Sequence, residues 1–367
     1  MCIYYTKRKE LHYDSAEHII PAAIGGIARL PKEYVSREFN TNISGLEQDF
    51  IREGMIALVR PLVGPGKRGS LSEKKATKSK IQVIRAVGDE VNVALGYSRG
   101  RKTIEIPHLK MNTKTGESAF NCSELGLQPG GAEKELQQFK SRCVQADGLR
   151  VKILEDSHLP VDVILLGIAD GIEENYNCFF AKNPANPLMP TTNNLQQIGQ
   201  GIRFIPDIKH SQYQPIVHGN ITFKMDHLRI YGKIAFNFLA SLIGADLARL
   251  PAFDVVRTWI AEGGTSSKAI LDPTNVNPLT GMEIALPDYA HIIYLVQYDR
   301  LLVAKVFLYG GFSVSIVLTE DFRLNLNTDG LICDWRNQKE YRLREFLVQH
   351  VKQVNERLKE NKVNPFA

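Results

Sequence analysis

The stretch "HIIYLVQYDRLLVAKVFLYGGFSVSIVLT", residues 291–319, leaves a chain little freedom. Three runs rich in β-branched and aromatic residues are packed too closely for helical crossovers, so they predict a three-stranded antiparallel meander. Its second turn is Gly310-Gly311, a residue type that tolerates the positive φ of tight hairpins. Upstream, "HLRIYGKIAFNFLASLIG" (227–244) is helical: Ile234, Phe238 and Leu242, with Ala235, Leu239 and Ile243 beside them, form a wide apolar stripe that reads as a packing face. A second helix is predicted from near Pro251, whose fixed φ suits a first turn, to Gly263-Gly264. The chain closes on an amphipathic helix with Phe346, Leu347, His350, Val351, Val354 and Leu358 on one face. Helices and an antiparallel sheet in separate blocks give an α+β fold.

The 367 residues exceed one ordinary hydrophobic core, so two or three domains are expected. A polar basic stretch, "GPGKRGSLSEKKATKSK" (64–80), carries Lys67, Arg68, Lys74, Lys75, Lys78 and Lys80 against the single acid Glu73. It reads as a mobile linker, 66–80, behind an N-terminal module of residues 1–65; a solvated connector and a phosphate-tracking arm are both open. Beyond it "IQVIRAV" and "VNVALGY" predict a hairpin, "TIEIPHL", "RVKIL" and "VDVILLGI" further strands, and "QPGGAEKELQQFKSRC" a short helix. Residues 183–220, rich in Asn and Pro, read as the loop-like junction between a mixed β-rich region (81–220) and an α+β C-terminal region (221–367).

Composition excludes more than it assigns. Hydrophobic residues at 44% and charged ones at 23% are ordinary for a soluble protein, and no apolar run reaches the ~18 residues of a membrane span. The N-terminus lacks the long apolar core of a secretion signal, so a cytoplasmic setting is expected. Five cysteines, at 2, 122, 143, 178 and 333, form no C-x-x-C pair, which argues for reduced thiols. A net charge of +5 permits a polyanion partner without requiring one. There is no G-x-x-x-x-G-K-[ST] phosphate loop, and His210, His218 and His227 form no metal-ligand spacing.

One short stretch does carry chemistry. In "YDSAEHIIPAAIGG" (13–26) Glu17 and His18 are adjacent, before an aliphatic pair, Pro21 and Gly25-Gly26. A neutral imidazole can take a proton from water while a hard divalent ion, held by a nearby carboxylate and a second oxygen, shields a phosphate. Neighbours on a regular strand point to opposite faces, so this pair serves one site only where the strand breaks or bulges.

Together with "YVSREFNTNISGLEQDF" (34–50), these residues resemble the HNH endonuclease family, whose ββα-metal module sets an acid-His pair at a strand end and an Asn on the following helix around one divalent ion. The resemblance implies Glu17 and Asn40 as ligands to Mg²⁺ or Mn²⁺, His18 as general base, and Pro21 with Gly25-Gly26 as the shaping turn. Many members brace the module with four zinc-binding cysteines; the corresponding positions here are Cys2, Tyr5, Ser36 and Phe39, so no structural zinc is expected and Tyr5 should pack on Phe39 instead. Weaker similarity to relatives of that family runs through 228–264 and 303–318. It follows that the chain should hydrolyse nucleic-acid phosphodiesters, with double-stranded DNA the favoured substrate, in restriction or anti-phage defence. Arg37 and the lysines and arginine of 67–80 would attract the backbone. Two rivals stand beside this: a decayed module that only binds nucleic acid, and a sensor whose nuclease stays silent until a ligand or partner protein, or self-association, releases it.

Overall fold

Strand runs and helical stripes find their partners in an order the linear chain hides. A computed structural model describes residues 1–86, 89–100, 102–123, 128–146, 148–201, 215–218, 224–264, 269–271, 286–323 and 329–352. The chain divides into two units: Met1–Thr77 with Ile221–Ala367, and Lys78–Asn220.

The first unit begins with irregular backbone. Helix α1, Arg37–Glu53, follows; its N-cap Ser36 accepts the Phe39 amide through its hydroxyl, satisfying one of the free N–H groups of the first turn. A short α2, Val59–Val63, comes next. The basic stretch that reads as a mobile linker is instead folded into two 3-10 turns, Lys67–Gly69 and Glu73–Lys75, joined by Gly66 N–H to the Ser70 carbonyl at 2.8 Å. Gly66 has no room for a side chain, because a Cβ there would lie 2.0 Å from the Lys75 carbonyl oxygen.

The second unit holds two sheets. Strands β1 (Gln82–Ala86), β2 (Asp89–Arg99) and β3 (Lys102–Glu105) form one with a later strand, β9. The "TIEIPHL" run, a single strand by its pattern, breaks at Pro107: Ile106 N–H still bonds Leu95, whereas the Pro107 carbonyl accepts from Ile168 in the other sheet. Pro has no N–H to continue the ladder, so the chain changes sheets there. Strands β4 (His108–Asn112) and β5 (Ser118–Asn121), helix α3 (Gly131–Val144), then β6 (Val151–Glu155), β7 (Val163–Ile168) and β8 (Cys178–Lys182) give a second sheet of order β5-β4-β7-β8-β6. Both faces of β7 are buried: Ile164 and Leu166 share a core with Phe139 of α3, while Val163 and Leu165 share one with Val83 and Leu95. The span 183–220 contains a helix, α4 (Thr192–Gly201), and β9 (Pro215–His218), which its Asn and Pro content conceals.

The chain then returns to the first unit. Helix α5, Leu228–Ala248, turns sharply at Gly244, where φ is +84°, and α6, Asp254–Glu262, ends on Gly263 at φ +83°. The meander is present as β11 (His291–Tyr298), β12 (Leu301–Leu308) and β13 (Phe312–Thr319), flanked by β10 (Ala269–Leu271) on one side and by β14 (Gly330–Asp334) and β15 (Lys339–Arg342) on the other. One face of this six-stranded sheet packs with α5 through Ile293, Leu295 and Val306; the other buries Ile292, Tyr294 and Phe307 with Leu343, Phe346 and Leu347 of a helix, α7, over 343–352. Val351, expected on that helix's apolar face, is exposed, and Val354 and Leu358 lie outside the described residues.

The N-terminal segment and the C-terminal region are therefore one body, a correction to their separation at 65 and 221. Tyr4 stacks on Phe39 at 3.7 Å between ring centroids, Tyr4 meets Phe236 of α5 at 5.5 Å, and Phe50 of α1 meets Tyr231 at 5.5 Å. With the sheet on one side and this segment on the other, α5 is buried nearly all round. By length and composition Met225–Ala248 could cross a membrane, but 61% of its apolar window is inside the protein.

Candidate functional site

Residues 17–30 form a loop closed at its base by a single antiparallel bridge between His18 and Arg29. Two backbone bonds frame it, Ile19 N–H to Ala28 at 2.9 Å and Leu30 N–H to Glu17 at 2.8 Å. The rung is too short to be a strand, so Glu17 and His18 are not held to a strand's strict alternation. The loop is closed over by groups from distant elements. Glu340 of β15 accepts Ile27 and Ala28 N–H at 2.9 and 2.8 Å, one on each carboxylate oxygen. His291 of β11 donates from Nε2 to the Ile24 carbonyl at 2.8 Å, and its Nδ1 accepts Tyr309 N–H at 3.1 Å. Arg60 of α2 donates to the Ala23 carbonyl at 3.0 Å.

These anchors explain Gly25-Gly26 physically. Gly25 has φ +104°, and a Cβ there would stand 2.4 Å from Trp335 Cβ; a Cβ on Gly26 would sit 1.8 Å from the Ile20 carbonyl oxygen. Only glycine lets the loop fold back on itself and on the sheet.

At the base of the loop the backbone carbonyl of His18 accepts Asn237 Nδ2 at 3.0 Å, and Tyr4 hydroxyl donates to Asn237 Oδ1 at 2.7 Å. The His18 ring is half-buried, and Arg29 Nε donates to its Nε2 at 3.1 Å. Desolvation and then the Arg29 charge push its pKa below the ordinary value, so the imidazole is neutral at neutral pH.

Glu17 is engaged elsewhere. Its Oε1 lies 2.8 Å from Nζ of Lys233 on α5, and the same ammonium lies 2.6 Å from Glu47 Oε2 on α1. Burial alone would lower the Lys233 pKa; Glu47 and then Glu17 outweigh it and raise the value, so the triad is charged. Asn40, in the second turn of α1, lines a cavity of about 290 Å³ with Asp14, Ser15, Val35, Arg37, Thr41 and Ser44. Its Oδ1 is buried and accepts no hydrogen bond. Arg37, at the rim, pairs with Asp14 at 3.5 Å, both side chains largely exposed.

Sequence and structure can now be compared residue by residue. Glu17 and His18 are neighbours in the loop, and Asn40 stands on the helix that follows. Among the described residues no hydrogen bond or ion pair joins Asn40 to either, and no three His, Cys, Asp or Glu side chains gather about one point. The positions Cys2, Tyr5, Ser36 and Phe39 do come together: Tyr5 meets Phe39 edge-on at 5.8 Å and Tyr5 N–H reaches Cys2 Sγ at 3.4 Å. Of the basic stretch, Arg68, Lys74, Lys75, Lys78 and Lys80 are exposed; the Lys67 side chain lies outside the described residues. The turn at Lys67–Gly69 packs on the loop's Ala22–Ile24 turn, whereas Lys78 and Lys80 belong to the other unit. The residues missed at the sequence level are Lys233, Asn237, Glu47, Glu340 and His291. Lys233 and Asn237 carried a readable cue, two polar residues one turn apart in a helix otherwise apolar around its circumference.

Two oxygen donors suit a hard divalent ion: the unpartnered Asn40 Oδ1, and the Glu17 oxygen that Lys233 leaves unused. Ions of the magnesium type keep several waters and need only one or two protein carboxylates, so this donor set fits. Compared with protein families, with curated proteins and with solved structures, the chain finds no match, and the nuclease resemblance rests on the quoted residues alone.

Proposed function

We propose that this chain is a metal-dependent endonuclease of the HNH type, acting on nucleic acid and preferentially on double-stranded DNA. The observation that carries the proposal is the neutral, half-buried His18 on a loop clamped from both sides, with a hard acid residue beside it and an unpartnered amide oxygen on the next helix. Glu17 and Asn40 would hold a divalent ion, which supplies charge neutralisation at the phosphate.

The chain's own groups supply the rest. His18 accepts a proton from the attacking water, and the pinned carbonyl of His18 keeps the ring from drifting. Because Arg29 Nε–H fills the Nε2 lone pair, the resting tautomer carries its proton on Nδ1, and Arg29 must turn away before Nε2 can act as base. Arg29 is exposed, and an incoming phosphate offers its guanidinium a bidentate partner, so substrate binding and release of the base are one event. Arg37 and Arg68, with the exposed lysines at 74 and 75, provide positive charge on this unit for the backbone.

The test is cleavage of supercoiled plasmid and of single-stranded DNA with Mg²⁺ or Mn²⁺, against a chelator control. Cutting that needs the metal and falls on Asn40→Ala is the expected result. DNA binding with no cleavage under any metal would favour the rival reading of a decayed binding module. The engagement of Glu17 by Lys233 favours a second reading, a nuclease at rest until the site is rearranged. Cleavage appearing only with an added ligand or partner protein is its signature.

A further inference from the structure

The proposed nuclease gives Glu17 to a divalent ion, yet in the folded chain Glu17 already has a cation. Lys233 Nζ sits between Glu17 Oε1 and Glu47 Oε2 at 2.8 and 2.6 Å. Three separate elements meet there, the loop, α1 and α5. The Lys233 side chain is 3% exposed, whereas Glu17 and Glu47 are 16% and 22% exposed. The ammonium thus lies at the back and the carboxylates face solvent.

The charges do not balance. Two carboxylates against one ammonium leave one negative charge over, and each carboxylate gives Lys233 only one of its oxygens. Among the described residues, Lys233 is the sole hydrogen-bonding partner of either acid side chain. Desolvated charge left uncompensated in this way is costly, and a cation approaching from the solvent side relieves it. Lysine suits a place that must also be given up, since its ammonium is a point charge on a flexible stem, without the rigid fork by which arginine would lock both acids.

Resting on the metal-dependent reading, we propose that Glu17 and Glu47 form a divalent-cation site and that Lys233 is its internal competitor, holding the pair in the metal-free protein and yielding it when the metal binds. Glu47 then joins Glu17 as a ligand, and Lys233 sets how much metal the site needs. A dication and an ammonium at one carboxylate pair repel each other, so the metal's affinity is lowered by whatever it takes to displace Lys233.

The probe is Mn²⁺ alone, titrated by calorimetry into the full-length protein without DNA, with thermal unfolding followed in parallel. Lys233→Met and Lys233→Gln should bind Mn²⁺ at least about tenfold more tightly than the native chain, and Mn²⁺ should raise their Tm by more, since a ligand stabilises in proportion to the logarithm of its saturation. Adding Glu47→Gln to Lys233→Gln should abolish the gain. If a Lys233 variant is unfolded without metal, recovery of its fold on Mn²⁺ addition is the expected result. Unchanged affinity in both variants, a gain that survives Glu47→Gln, or failure of Mn²⁺ to restore either fold would overturn the inference. The two claims fail separately. Mn²⁺ binding that depends on Asn40 but ignores Lys233 sinks the competitor and spares the nuclease; tight Mn²⁺ binding by Lys233→Gln in a protein that cuts no nucleic acid does the reverse.

Discussion

His291 shows how one buried side chain ties stability to acidity. Fully enclosed between the Ile24 carbonyl and Tyr309 N–H, it is held neutral, burial pushing its pKa from 6.5 down to about 4. In the unfolded chain it gains a proton below pH ~6.5, and in the folded chain only near pH 4, so its contribution is whole at neutral pH and is lost as pH falls through that window. At one pKa unit per ~1.4 kcal/mol, the loss amounts to about 3 kcal/mol. Urea unfolding at neutral pH and near pH 4 should therefore show a smaller acid penalty in His291→Gln than in the native chain by about that amount; equal penalties would mean that His291 is not neutral in the fold. At this scale the sequence was legible where a residue type is forced. Gly25 and Gly26 were visible as a turn, and Asn40 as a motif position. His291 reads as one more residue of an apolar strand, because what makes it an anchor is a carbonyl some 267 positions away.

The loop carrying His18 is an element without secondary structure, and its rigidity is borrowed. Glu340 is the most specific lender, accepting two adjacent amides with a charged carboxylate, and charge-assisted bonds of this kind contribute roughly 1.5–3 kcal/mol each. Glu340→Gln keeps the shape but turns an N–H₂ toward one of those amides. Hydrogen exchange at Ile27 and Ala28 should accelerate, with overall stability down by about 1–3 kcal/mol; exchange as slow as in the native chain would remove Glu340 from the account. Elements with a strong period were plain in the sequence, the meander and α5 above all. The break at Pro107, the helix at Thr192–Gly201 and the strand at Pro215–His218 were not. There the deciding forces are which sheet a strand joins and what covers a polar helix, neither of which local pattern contains.

For the whole molecule, the main fact is a discontinuous unit built from both ends of the chain around α5. Residues 1–65 carry the motif but share their core with the C-terminal region: Phe39, Phe50 and Tyr4 pack on Phe236, Tyr231 and Asn237. Cutting the chain after the motif would expose several such side chains at roughly 1.5–3 kcal/mol each. A fragment of residues 1–65 should accordingly show the circular dichroism of an unfolded peptide; a cooperative melt would mean that the module stands alone after all. That long-range sharing is why the module boundary could not be read from composition, and it is also how His18 is held in place, by a sheet nearly 300 residues downstream. The central claim is that this clamped His18 is a general base. Single-turnover cleavage of duplex DNA under Mg²⁺ or Mn²⁺ by the native chain and by His18→Ala tests it most directly: removing a general base should slow the reaction by roughly 10²–10⁴-fold while DNA binding is retained, and cleavage at the native rate in the variant would contradict the account.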